Sequence, residues 1–186
     1  MKNIITIILL GISIISTSFA QDNNEKPSGY FSLSIAYSVK DDLLPEGIDY
    51  SPIVFLASFP IYQKRRWAIY SELQYAKAMQ GYKFQAEWEF GMNVGFMYRF
   101  LVLDKFSTTL AIGTGPYFIS LETSRQARGF IFSDNLQLGF VYPISKMDLD
   151  LNIKARYRHI SNAGFESPNG GIENMFFVFG ITKHFF

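Results

Sequence analysis

The sequence contains no cysteine. That absence excludes a disulfide framework, a lipid anchor attached through a lipobox cysteine, and any catalysis by a thiolate. An excess of either charge is also missing, since the net charge is only +1, which argues neither for nucleic acid nor for a strongly acidic partner. Past the first twenty residues no apolar run is long enough for a transmembrane helix, so any crossing of a membrane must be made by strands.

The one apolar run is N-terminal. A single charge at Lys2 precedes Ile4 to Ile15, which only Thr6, Gly11 and Ser13 interrupt, and Ser18-Phe19-Ala20 then sets small residues where a signal peptidase reads. Residues 1–20 are therefore expected to be a secretory signal, with Gln21 opening the mature chain. The run is short for a membrane anchor and ends in small polar residues. A polar leader over 21–29 follows, and the remaining 30–186 read as one domain.

What is abundant is aromatic: 19 Phe, 11 Tyr and 2 Trp bring the aromatic share to 17%, more than a soluble core of this size needs. A lipid-facing wall with interfacial aromatic girdles accommodates them. Eight segments alternate in hydrophobicity with period two, at about 30–40, 51–62, 65–77, 87–100, 106–120, 129–142, 147–161 and 172–186. In the first, Phe31, Leu33, Ile35, Tyr37 and Val39 face one way, and Ser32, Ser34, Ala36 and Ser38 the other. These segments exceed the usual five or six residues of a globular strand. Short connections (63–64, 101–105, 143–146) alternate with longer ones (41–50, 78–86, 121–128, 162–171). The expected fold is all-β, an eight-stranded antiparallel transmembrane β-barrel with short periplasmic turns and long external loops. A barrel of eight strands is filled by side chains. Glu72, Glu87, Glu89, Arg99, Asp148, Lys154, Arg156 and Arg158 are expected to fill it as paired charges, a structural network and not a transport path.

The seventh segment carries the chemistry. Its odd positions include Ala155, Tyr157, His159 and Ser161, and its even ones Asp150, Asn152, Lys154, Arg156 and Arg158. Parity puts His159 and Ser161 together on the lipid side at the outer end, where an imidazole can take a serine proton. In the eighth segment Glu173 shares the apolar face with Met175, Phe177 and Phe179, and a hairpin brings it near His159. A carboxylate facing lipid costs desolvation, and orienting an imidazolium would be a reason to keep it. Parity alone favours a set of interfacial polar residues over a catalytic one.

The stretch Arg156-Tyr157-x-His159-x-Ser161-Asn162-x-Gly164-x-x-x-Pro168-Asn169-x-Gly171-x-Glu173 resembles the signature of the lipid A 3-O-deacylase (PagL-like) family. Gly113-Thr114-Gly115-Pro116 and Phe130-Ile131-Phe132-Ser133-Asp134 are similar to that family too, whereas the first hundred residues agree in topology alone. The resemblance implies an outer-membrane serine esterase that removes the 3-O-linked acyl chain from the lipid A of lipopolysaccharide. It implies Ser161 as nucleophile, His159 as general base, Glu173 as its orienter, and Asn162 with the backbone N–H of Gly164 as oxyanion hole. Asn162 and Gly164 suit a loop-start turn equally. Family members can form dimers, so the resemblance admits a homodimer, which no residue here specifies.

Neither residues nor resemblance requires a metal or another cofactor. Asp41, Asp42, Glu46 and Asp49 read as a solvated acidic loop sooner than as a cation site. Arg125 and Arg128, in the third external loop, are expected to bind lipid A phosphates, which a guanidinium fork pairs well. Two readings compete with the deacylase: a non-catalytic barrel acting as scaffold or adhesion surface, and an esterase acting on phospholipid.

Overall fold

A computed structural model describes residues 29–39, 50–80, 83–103, 106–144 and 146–185. The expected signal, nearly all of the leader and the acidic loop with Asp41, Asp42, Glu46 and Asp49 lie outside the described residues. Period-two alternation gives strands because it separates apolar from polar side chains onto the two faces of a pleated ribbon. The strands are β1 (Gly29–Val39), β2 (Ile53–Lys64), β3 (Trp67–Gln80), β4 (Lys83–Leu103), β5 (Phe106–Ile119), β6 (Gly129–Ile144), β7 (Leu149–Ser161) and β8 (Ile172–Phe185). Each pairs antiparallel with the next, and β1 closes on β8 from Gly29↔Phe185 to Val39↔Met175. The result is a closed barrel, in which no strand edge is left for lipid to meet.

Outward positions are apolar and exposed, as in Leu33, Phe55, Phe90, Leu136, Ile153 and Phe177. Near the end that carries the short turns, Trp67 packs on Phe96 and Tyr98 with ring centroids 4.7 and 4.2 Å apart, the aromatic belt of a membrane interface. Phe185 faces outward, and Phe186 lies outside the described residues.

Three expectations need correction. The turn read at 63–64 falls at Arg65–Arg66, because register slips between Pro60 and Tyr62 and the added residue lengthens β2. At the opposite end, most of the loop read at 78–86 is strand: β3 continues to Gln80 and β4 begins at Lys83. Backbone pairing there continues past the end of the clean alternation, since it depends on a partner strand and not on side-chain type. Asp148 does not join the internal charges; it sits in a turn at φ 51°, exposed, with its carboxylate 3.6 Å from Lys183 Nζ. Asp tolerates this left-handed geometry better than most residues, and the turn puts it outside the lumen.

The lumen is packed. Arg156 pairs with Glu72 at 2.8 Å and donates to Asn135 Oδ1 at 2.6 Å. Arg158 pairs with Glu89 at 2.6 Å and donates to Asn174 Oδ1 at 2.8 Å, and the Tyr117 hydroxyl donates to the same Glu89 at 2.7 Å. Glu87 lies nearer the rim, where it accepts from the Ser120 hydroxyl at 2.5 Å. Toward the short turns Arg99 and Lys154 line a cavity of about 60 Å³. At the long-loop end Tyr50, Tyr117, Ile119, Ile131, Ile160 and Ile172 form an apolar plug. These inward anchors determine what faces outward: with Arg158, Ile160, Ile172 and Asn174 held inside, the residues between them must point to lipid.

Arg158→Ala strips Glu89 of its cation in a fully buried site, a loss of about 3–5 kcal/mol by the behaviour of buried pairs. Urea unfolding of the detergent-solubilised barrel, read as loss of the fast-migrating folded form on unheated gels, should show the midpoint moving down. An unchanged midpoint would mean that Glu89 is held without Arg158.

Candidate active site

His159 and Glu173 are direct cross-strand partners of β7 and β8. His159 Nδ1 lies 3.1 Å from Glu173 Oε1, with side chains 33% and 23% exposed, on the outer wall near the long-loop end. The next pair is Ile160↔Ile172, so one further step along the same register sets Ser161 level with Gly171. The imidazole edge away from Glu173 points to that level. A Cβ built on Gly171 would lie 2.5 Å from His159 Cε1 and 3.3 Å from Nε2, and the residue has φ +69°. Both the close approach and the left-handed backbone require glycine here. Ser161 is half-buried and shares the outward parity of His159. Among the described residues no hydrogen bond joins the Ser161 hydroxyl to the imidazole. Catalytic hydrogen bonds often tighten only when substrate is bound.

Asn162 is buried, 2% exposed, and all its polar groups are engaged. Its backbone N–H donates to Asn169 Oδ1 at 2.9 Å, and its Nδ2 donates to Glu166 O at 2.7 Å. Its Oδ1 accepts from the Gly164 N–H at 3.0 Å. Of the two expected oxyanion donors, the Gly164 N–H is therefore taken up by Asn162 itself, in a tight turn where Ala163 and Gly164 both have positive φ. Asn162 Nδ2 carries two hydrogens, and the bond to Glu166 uses one.

Arg125 and Arg128 lie in the β5–β6 loop (120–128). Arg128 is exposed. Arg125 instead reaches the β7–β8 loop (162–171), donating from Nη2 to Gly170 O at 2.5 Å, with Nη1 3.8 Å from Glu173 Oε2. The structure thus brings Arg125 to the His–Glu pair, a contact between positions 48 apart that no local pattern announces.

Two further features border the site. Asp134 of β6 is the cross-strand partner of His159 on its other side, and its carboxylate accepts from the Thr114 hydroxyl at 2.6 Å. Phe132 is the partner of Ser161. It continues a ladder of outward rings, with centroids 5.2 Å to Phe130 and 6.4 Å to Phe165, and 5.9 Å from Phe130 to Phe118. Beside a hydroxyl, such a ladder is an apolar bed at the edge of the bilayer.

A family model described as lipid A 3-O-deacylase (PagL) matches residues 53–182, a stretch that contains every residue of this site. Among solved structures the chain is similar to the outer membrane enzyme PagL, at 18% identity and a TM-score of 0.62, over 80% of this chain and 97% of that one. It is similar to Neisserial surface protein A at 14% identity and a TM-score of 0.60, over 86% of this chain and 100% of that one. Those two likenesses speak to the barrel. No curated protein matches the chain.

Proposed function

Because this chain belongs to the lipid A 3-O-deacylase family, we propose that it frees the 3-O-linked acyl chain of lipid A by a serine esterase mechanism with Ser161, His159 and Glu173. Membership makes it an integral outer-membrane barrel and a lipid A deacylase; the atoms that do the work, and the ester chosen, are the proposal. The observation that carries it is the 3.1 Å contact of His159 Nδ1 with Glu173 Oε1 on the outer wall, within reach of the leaflet that holds lipopolysaccharide.

A proton on Nδ1, shared with Glu173, leaves the Nε2 lone pair free to accept the Ser161 proton. Nε2 takes the Ser161 proton as Oγ attacks the ester carbonyl carbon, and the negative charge collects on the carbonyl oxygen. The second N–H of Asn162 Nδ2 donates to that oxygen, and Gly164, by holding Asn162 Oδ1, fixes the amide that does so. The Gly164 N–H joins the hole only if that bond opens when substrate binds. As the intermediate collapses, His159 returns its proton to the sugar 3-oxygen, which leaves as a hydroxyl. Water, deprotonated by the same imidazole, then frees the fatty acid from Ser161. The Phe132, Phe130 and Phe118 rings offer the acyl chain an apolar surface alongside Ser161. Exposed Arg128 is the proposed contact for a lipid A phosphate.

Mass spectrometry of lipid A from cells expressing the protein tests this reading. The expected spectrum has lost the mass of one acyl chain, with fragment ions placing the loss at the glucosamine 3-oxygen. Loss from phospholipid alone would redirect the chemistry to another ester, and unchanged lipids would favour a scaffold.

A further inference from the structure

We infer that Arg125 is a positioning residue of this esterase: it holds the second oxygen of Glu173, and through it the imidazole of His159. The inference rests on the site proposed above. A glutamate facing a histidine across two strands has three side-chain torsions to restrain, and one hydrogen bond restrains them poorly. Here its two oxygens are divided. Oε1 lies 3.1 Å from His159 Nδ1, and Oε2 lies 3.8 Å from Arg125 Nη1. A planar guanidinium presents its donors in a fixed fork, so one residue can hold both the carboxylate and a neighbouring carbonyl.

Arg125 is itself held. Its Nη2 donates to Gly170 O at 2.5 Å, while its own carbonyl accepts from the Gly170 N–H at 2.6 Å. The Ala127 N–H donates to Pro168 O at 2.9 Å, and Gln126 and Asn169 form a bridge of antiparallel type. The Thr123 hydroxyl accepts from the backbone N–H groups of Arg125 and Gln126 at 3.2 and 2.9 Å. The two loops therefore form a short ladder over the ends of β7 and β8. The same segment supplies Asn169 Oδ1 to the Asn162 N–H, so one platform serves both the carboxylate and the proposed oxyanion donor.

This placement bears on the phosphate role expected of Arg125. Its Nη1 and Nη2 address Glu173 and Gly170 O, and a Cβ on Gly170 would lie 3.0 Å from its Nε. All three nitrogens lie over the β7–β8 loop. A phosphate would compete with Glu173 and Gly170 O for this guanidinium. The two arginines thus divide their work: Arg128 for the ligand, Arg125 for the catalytic carboxylate.

Kinetics of the purified barrel in detergent micelles, on lipid A and on a phosphate-free glucosamine bearing the same 3-O-acyl ester, separate the roles. Arg125→Ala should lower kcat by about 10- to 100-fold on both substrates, the scale of a misplaced catalytic group, with KM within about twofold. Arg125→Lys, which keeps a cation near Glu173 but not the fork that also holds Gly170 O, should recover only part of kcat. An unchanged kcat, or a KM increase confined to the phosphorylated substrate, would each overturn the assignment. If Arg125→Ala does not fold, judged by gel mobility of unheated samples, Arg125→Gln replaces it, since it removes the charge and keeps a polar side chain at the same loop position. Ser161→Ala measured alongside keeps the failures apart. Activity that survives it removes the serine reading, whereas its loss beside an unaffected Arg125→Ala removes only this inference.

Discussion

Ser161→Ala should reduce deacylation of lipid A by roughly 10⁴-fold or more, with the barrel intact. Alanine removes the oxygen proposed to attack the ester and leaves everything else in place. The Ser161 hydroxyl is not part of the lumenal network, and its neighbours Ile160 and Asn162 are the buried residues that hold this end of β7. Folding should therefore be unaffected, and unheated samples should migrate as the wild type does. What remains is water attack assisted by His159 and the proposed oxyanion donors, which in serine hydrolases still exceeds the uncatalysed rate. Mass spectra of lipid A from cells expressing the variant should match those of cells without the protein. If the variant kept even a tenth of wild-type turnover, His159 would have to activate water directly, and the covalent route would be wrong.

Glu173→Gln should lower kcat by roughly 10³- to 10⁴-fold while KM stays near the wild-type value, as with orienting carboxylates in other hydrolases. The side chain keeps its length but can present an N–H to His159 Nδ1 where the carboxylate presents an oxygen at 3.1 Å. The imidazole then favours a proton on Nε2, and the lone pair needed for Ser161 is lost. The imidazolium formed during attack also loses its neighbouring negative charge, and Arg125 loses the carboxylate it faces. The substrate contacts proposed along the Phe132 ladder are untouched, hence the expected separation of kcat from KM. A fall of less than tenfold would show that the cross-strand contact does not orient the base.

The variants differ in how far the sequence alone would have suggested them. The shared outward parity of His159, Ser161 and Glu173 was legible because β7 and β8 alternate, and the antiparallel pairing of consecutive strands sets His159 beside Glu173 although the loop between them is one of the long ones. The ions of β7 were legible as lumenal for the same reason, although their partners on β3 and β4 were not named by any local pattern. Parity misled at Asp148, where a left-handed turn replaces the strand. Loop lengths misled at 78–86, since strand pairing outlasts the amphipathic pattern there. Arg125 was legible only as a cation in a loop. Its contact with Glu173 exists because two loops with no periodicity of their own form a ladder across the barrel rim.

Alternation at period two determined, from the sequence by itself, an eight-stranded wall and which side chains on most of it meet lipid. The physical reason is local: in a strand each side chain faces opposite to the one before it, whatever the rest of the chain does. Closure decided what local pattern cannot. Only when β1 meets β8 does the lumen become narrow enough for Arg156 to reach Glu72 and Arg158 to reach Glu89. Only when the loops pack does one carboxylate lie between an imidazole and a guanidinium, because that contact joins groups separated along the chain and brought together by the fold.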